Sequence, residues 1–135
     1  RGRSPKYSRP RLKFKGYDLG LCVMDTLPEC IDGIWYVPAA QIVKFMGGES
    51  KHSTGKARVE VYGGFAEYTE NSDVMLTHQG EIRMTAPCLR RSREQLYVPV
   101  EDFCKPFRMY WAYFEYNNFI SIESETGQLP VSYQP

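Results

Sequence analysis

The string Tyr-Val-Pro occurs twice in the chain, as Tyr36-Val37-Pro38 and Tyr97-Val98-Pro99, 61 positions apart. A repeat constrains a fold more than composition does, because each copy must find the same local structure and bury the same face. At this offset the agreement runs from Tyr36–Val61 onto Tyr97–Ile122. Ala39, Ile42, Val43 and Met46 fall on Val100, Phe103, Cys104 and Phe107. Both sets follow i, i+3, i+4, i+7, the apolar stripe of a short helix. Val59 and Val61 fall on Ile120 and Ile122, the alternation of a strand.

Each copy reads the same way. Tyr-Val ends a strand, and Pro38 or Pro99 opens a helix at its first position, where a missing N–H costs nothing. The first helix is expected to end at Gly47-Gly48, where positive φ is cheap. The second must stop near Lys105, because Pro106 disfavours helix in the residue before it. A hairpin then follows in each copy. It turns through Ser53-Thr54-Gly55 in the first, and through Asn117-Asn118, between strands Met109–Glu115 and Phe119–Glu123, in the second.

Upstream, Pro28-Glu29-Cys30-Ile31 and the turn Asp32-Gly33 precede the first triplet. Pro87-Cys88-Leu89 and a longer basic loop, Arg90-Arg91-Ser92-Arg93, precede the second. Between the copies, Arg58–Tyr62, Phe65–Tyr68, Val74–Thr77 and Glu81–Thr85 read as strands, joined at Gly63-Gly64, Asn71-Ser72-Asp73 and Gln79-Gly80. An opening hairpin is expected over Leu12–Phe14 and Leu19–Met24. The fold class is α+β: two copies of a strand–helix–β-hairpin unit, with mostly antiparallel sheets and two short helices. Residues 1–11 read as a basic arm or linker and 126–135 as a C-terminal tail. The domain spans 12–125, with the copies at about 28–62 and 86–123.

With 135 residues the chain is long enough for a sizeable core. No apolar run approaches the roughly 18 residues that a membrane span needs. No signal-peptide pattern opens the chain, so an export signal is expected to be removed or absent. The net charge of +1 hides an asymmetry: residues 1–15 carry seven basic groups and no acid, while the remainder carries a net of −6. A solvated linker explains the basic segment, with Ser4-Pro5 and Arg9-Pro10 in it; contact with an anionic polymer is the other reading. Four cysteines, Cys22, Cys30, Cys88 and Cys104, lack the short spacing of a zinc site. They are either small buried hydrophobes or partners in disulfides of an exported protein.

Taken together, the strand ending in Val-Pro, the short helix ending near Gly-Gly and the hairpin with an alternating second strand resemble the copper amine oxidase N-terminal-like ("stalk") domain of secreted and surface proteins of Gram-positive bacteria. The pattern is carried by Pro28, Ile31-Asp32-Gly33, Trp35-Tyr36-Val37-Pro38, Gly47-Gly48 and Val59-x-Val61. It recurs at Ala86-Pro87, Tyr97-Val98-Pro99 and Ile120-x-Ile122, and covers about residues 12–123. The resemblance implies a secreted or cell-surface accessory module without cofactor or metal. The oxidase chemistry itself needs three histidines on copper and a tyrosine in an Asn-Tyr-Asp/Glu-Tyr context. This chain has two histidines, His52 and His78, and its nearest string is Glu115-Tyr116-Asn117-Asn118.

Other catalytic constellations are weak. Cys104 lies on a helix stripe expected to be buried, and Cys88 sits at a strand entry. Glu101-Asp102 suit the first turn of a helix, where anions meet the dipole favourably. The main binding candidate is the aromatic segment Tyr110, Trp111, Tyr113 and Tyr116. In a strand, Tyr110, Ala112, Phe114 and Tyr116 oppose Met109, Trp111 and Tyr113. One face must be core, and the other either presents aromatic rings to a ligand or is covered as well. Arg90, Arg91 and Arg93 are candidate anion contacts.

These readings point to a non-catalytic accessory, spacer or interaction module of an exported bacterial protein at the cell envelope. The alternative is a glycan- or peptidoglycan-binding module using the aromatic strand. The partners expected are cell-wall glycan or another envelope domain; nucleic acid is not expected.

Overall fold

A computed structural model describes residues 10–14, 17–18, 27–91 and 94–124. The expected strand over Leu19–Met24, together with Cys22, Arg93, residues 1–9 of the arm and the tail over 126–135, lies outside the described residues.

Apolar residues at every second position make strands of most of the chain. Two strands open it, β1 (Arg11–Phe14) and β2 (Tyr17–Asp18). Then come β3 (Glu29–Ile31), β4 (Ile34–Pro38) and helix α1 (Ala39–Phe45). A five-strand meander follows: β5 (Glu49–Ser53), β6 (Lys56–Val61), β7 (Gly64–Thr69), β8 (Val74–Thr77) and β9 (Gly80–Arg83). The last part holds β10 (Leu89–Arg90), β11 (Leu96–Pro99), helix α2 (Val100–Cys104) with a 3-10 turn over Lys105–Phe107, then β12 (Met109–Phe114) and β13 (Phe119–Ser124). The protein is α+β, and among the described residues the sheets are mostly antiparallel and there are two short α-helices.

The strands form three sheets, in the orders β12-β13-β1-β2, β10-β11-β4-β3 and β5-β6-β7-β8-β9. The two triplets meet in the second. β4 and β11 pair antiparallel with Val37 opposite Val98, Tyr36 opposite Pro99 and Pro38 opposite Tyr97. The Tyr36 hydroxyl donates to the Pro87 carbonyl at 2.8 Å, and the Tyr97 hydroxyl donates to the Leu27 carbonyl at 2.8 Å. Each triplet therefore ties down the segment that leads into the other.

The prolines sit one position earlier than the sequence suggests. Pro38 (φ −81°, ψ 94°) and Pro99 (φ −56°, ψ 134°) are extended and cap the helices from outside. Proline's fixed φ suits this position, and its lost N–H ends the sheet ladder without leaving a buried donor unpaired. The helices have seven and five residues, too few to hold on propensity alone. Burial holds them: Ala39, Ile42, Val43, Met46, Val100, Phe103, Cys104 and Phe107 are all buried. Helix α1 packs on β5 and β6, and α2 packs on β12, so each helix covers the hairpin that follows it.

Gly47 (φ 90°) ends α1 as expected. Gly48 serves differently, because a Cβ there would meet the Glu60 carbonyl and the Val61 side chain. Pro106 stops the α-helix at Cys104, yet the 3-10 turn carries Phe107 into the core. The β6–β7 turn falls on Tyr62-Gly63 rather than Gly63-Gly64, since Val61 pairs with Gly64. The β12–β13 strands end at Phe114 and begin at Phe119, leaving Glu115–Asn118 as the turn, closed by Asn118 N–H to the Glu115 carbonyl at 3.2 Å. One contiguous core runs from Leu12 and Phe14 of β1 through both helices to Ile120 and Ile122 of β13.

Candidate functional site

The sheet β12-β13-β1-β2 has two unlike faces. On its inner side Leu12, Phe14, Ile120 and Ile122 are fully buried, and Met109, Trp111 and Tyr113 share that side by strand alternation. Trp111 Nε1 donates to Glu101 Oε1 of α2 at 2.9 Å. Tyr113 stacks on Trp35 of β4 with centroids 4.7 Å apart, and its hydroxyl donates to Asn118 Oδ1 at 2.8 Å. These two rings seal the edge of the core.

The outer side carries Tyr110, Ala112 and Phe114 from β12, paired across to Glu123, Ser121 and Phe119 of β13. Lys13 of β1 lies beyond Ser121, and Arg11 beyond Phe119. Tyr110 is 55% exposed and Phe114 47% exposed, large values for aromatic rings in a sheet. Phe114 stacks on Phe119 at 5.0 Å, and the Lys13 ammonium sits 4.2 Å over the Phe119 ring. Cation–π contact fixes the charge beside the aromatic surface. Ala112 and Ser121 form a low floor between Tyr110 and the phenylalanine pair, with Lys13 and Glu123 beside it.

The four residues singled out from the sequence are therefore divided. Tyr110 lies on the outer face, Tyr116 projects from the turn at 98% exposure, and Trp111 and Tyr113 belong to the core side. Phe114 and Phe119 complete the outer surface. Their signal in the sequence was parity with Tyr110 for Phe114, and the hairpin register for Phe119.

Of the candidate anion contacts, Arg90 and Arg91 engage carboxylates of this chain. Arg90 bonds Glu70 at 2.7 Å and lies 3.5 Å from Glu94; Arg91 bonds Glu29 at 3.0 Å. The Arg90 hydrogen bond holds the Glu70 carboxyl below its ordinary range. A cleft of about 250 Å³ beside Arg90, lined also by His52, Lys56 and Glu94, mixes both signs of charge. It is smaller than the roughly 300–1,000 Å³ typical of small-molecule pockets.

Several of the remaining reactive side chains are engaged within the fold, while Cys30 and His52 are exposed. Cys88 donates its thiol proton to the Thr69 carbonyl at 2.7 Å, and burial pushes the thiol up to about 11. Burial also raises the Cys104 thiol, aided by the charge of Glu101. Cys30 is exposed, and all three described cysteines are free thiols. His78 Nδ1 accepts the Phe65 N–H at 3.1 Å, and exposed His52 stands 3.4 Å from Ser50 Oγ. Asp102 is fully buried, which its place in a helical first turn does not explain. Its Oδ2 accepts the Thr85 N–H at 2.8 Å and its Oδ1 lies 3.7 Å from the Lys105 ammonium, so it pins the loop after β9 to α2.

Among the described residues no three His, Cys, Asp or Glu side chains are grouped to hold a metal ion. Among them, too, no helix is long and apolar enough to cross a membrane. Comparison with known proteins returned no matching family model, no matching curated protein and no matching solved structure.

Proposed function

We propose that the chain is a non-catalytic accessory module of an exported bacterial protein, which attaches or spaces a neighbouring domain at the cell envelope through the outer face of the β12-β13-β1 sheet. The observation that carries this reading is the exposure of Tyr110 and Phe114 on a sheet whose other face is core. Exposed contiguous aromatic surface costs solvation and marks interaction sites. The scaffold reading is a strand–helix–hairpin unit used twice. Its supports are the antiparallel triplets centred on Val37 and Val98 and the reciprocal tyrosine hydrogen bonds. The envelope setting and the absence of catalysis rest on the resemblance to the stalk domain. The structural engagement of Cys88 and His78 is in keeping with the non-catalytic part.

A glycan is the ligand chemistry that the outer face favours. A sugar ring offers an apolar C–H face for stacking and hydroxyls for polar neighbours. The Ala112–Ser121 floor, bounded by Tyr110 and the Phe114–Phe119 stack with Lys13 and Glu123 beside it, offers both. The test is retention on purified cell wall together with a glycan array. Wild-type protein binds, and the Tyr110→Ala/Phe114→Ala variant, folded by circular dichroism, does not. Absence of binding to every wall fraction and every glycan would sink the glycan reading.

A further inference from the structure

We infer that β12 is the seam of a two-fold dimer, pairing antiparallel with β12 of a second copy to join two four-stranded sheets into one. The proposal goes beyond the function above and does not depend on it.

Among the described residues three sheets have six edge strands: β12 and β2, β10 and β3, β5 and β9. An edge strand presents unpaired N–H and C=O groups, and proteins blunt such edges by shortness or charge. Five of the six obey. β2 and β10 have two residues each, and β3 has three and carries Glu29. β5 carries Glu49, Lys51 and His52, and β9 carries Glu81 and Arg83. β12 is six residues long, Met-Tyr-Trp-Ala-Tyr-Phe, with no charge and no proline. One molecule thus shows both the rule and its exception.

The strand also fits itself. A two-fold axis perpendicular to the sheet keeps outer side chains opposite outer ones, so the axis must pass at a residue, not between two. Placed at Ala112, it opposes Tyr110 to Phe114 of the partner twice over and brings the smallest side chain against its twin. Aromatic cross-strand pairs stabilise such a ladder, and nothing charged is opposed to its own copy. Dimerisation would also set two aromatic platforms edge to edge, doubling the surface available to a polymeric ligand.

Sedimentation velocity over a concentration series, with the whole chain, tests the association. The wild type forms a dimer, and Ala112→Lys, which places two ammonium groups at the axis, raises the dissociation constant at least about tenfold. Cysteine cross-linking tests the register in a Cys22→Ser/Cys30→Ser background. Ala112→Cys forms an intermolecular disulfide with diamide, and Tyr110→Cys, about four residues from its twin across the axis, does not. A wild type that stays monomeric to its solubility limit overturns the proposal. So does a dimer indifferent to Ala112→Lys, or one that cross-links as readily at 110 as at 112.

Discussion

Removing the Tyr97 hydroxyl probes the joint between the two triplets with little other disturbance. Tyr97 is fully buried, and its hydroxyl donates to the Leu27 carbonyl 70 residues away at 2.8 Å. Tyr97→Phe keeps the ring and its packing and deletes the hydroxyl's hydrogen bond to the part-buried Leu27 carbonyl. A typical intramolecular hydrogen bond contributes about 1 kcal/mol net, and an orphaned buried partner costs about 1–3 kcal/mol. Tyr97→Phe is therefore expected to lose about 1–2 kcal/mol. Tyr36→Phe, which deletes the matching bond to Pro87 at 2.8 Å, should lose a similar amount. Urea unfolding followed by far-UV circular dichroism reads both. The midpoint should fall while the slope stays constant, since the surface exposed on unfolding is unchanged. Losses below about 0.5 kcal/mol in both variants would refute the claim that these hydroxyls hold the lead-in segments in place.

Three further outcomes follow from the core. Gly48→Ala should cost about 1–3 kcal/mol, measured by the same unfolding assay, because its Cβ would meet the Glu60 carbonyl rather than a movable side-chain end. Folded protein exposed to iodoacetamide at neutral pH should be alkylated at Cys30 but not at Cys88 or Cys104, as resolved by peptide mass spectrometry. Cys88 also sets an alkaline limit. With its folded value pushed up to about 11 from the ordinary 9.0, the native state binds the proton more tightly than the unfolded chain. Its contribution is complete below about pH 9 and is lost as pH rises towards 11, up to about 2–3 kcal/mol. Cys88→Ala should flatten that part of the stability–pH curve; an unchanged curve would contradict the assignment.

The sequence makes the local geometry legible because local geometry is set by neighbours. Val-Pro into a helix stripe, Gly47 at a helix end and Asp32-Gly33 between paired strands each need only a few adjacent residues. Even so, Pro38 and Pro99 lie a position outside the helices, since an extended proline can close the sheet ladder and cap a helix at once. Beyond the hairpins, which strands become neighbours was not legible. The pairing of Val37 with Val98 and the parallel pairing of β1 with β13 depend on contacts far apart in the chain.

The candidate site shows the same division. Strand alternation separates Tyr110 and Phe114 from Trp111 and Tyr113, but both sets are aromatic, so composition cannot say which one is inside. Glu101 of α2 and Trp35 of β4 decide it, by engaging Trp111 and Tyr113 from the core side. The basic loop reads as free cation only until Glu29 and Glu70 arrive beside Arg91 and Arg90 from elsewhere in the chain.

The most direct measurement is binding to purified cell wall by wild-type protein and by Tyr110→Ala/Phe114→Ala, compared at equal stability. The wild type should show saturable retention and the variant should lose at least about tenfold in affinity, because stacking surface on the outer face is removed. Equal retention of the two proteins would show that this face is not the working surface.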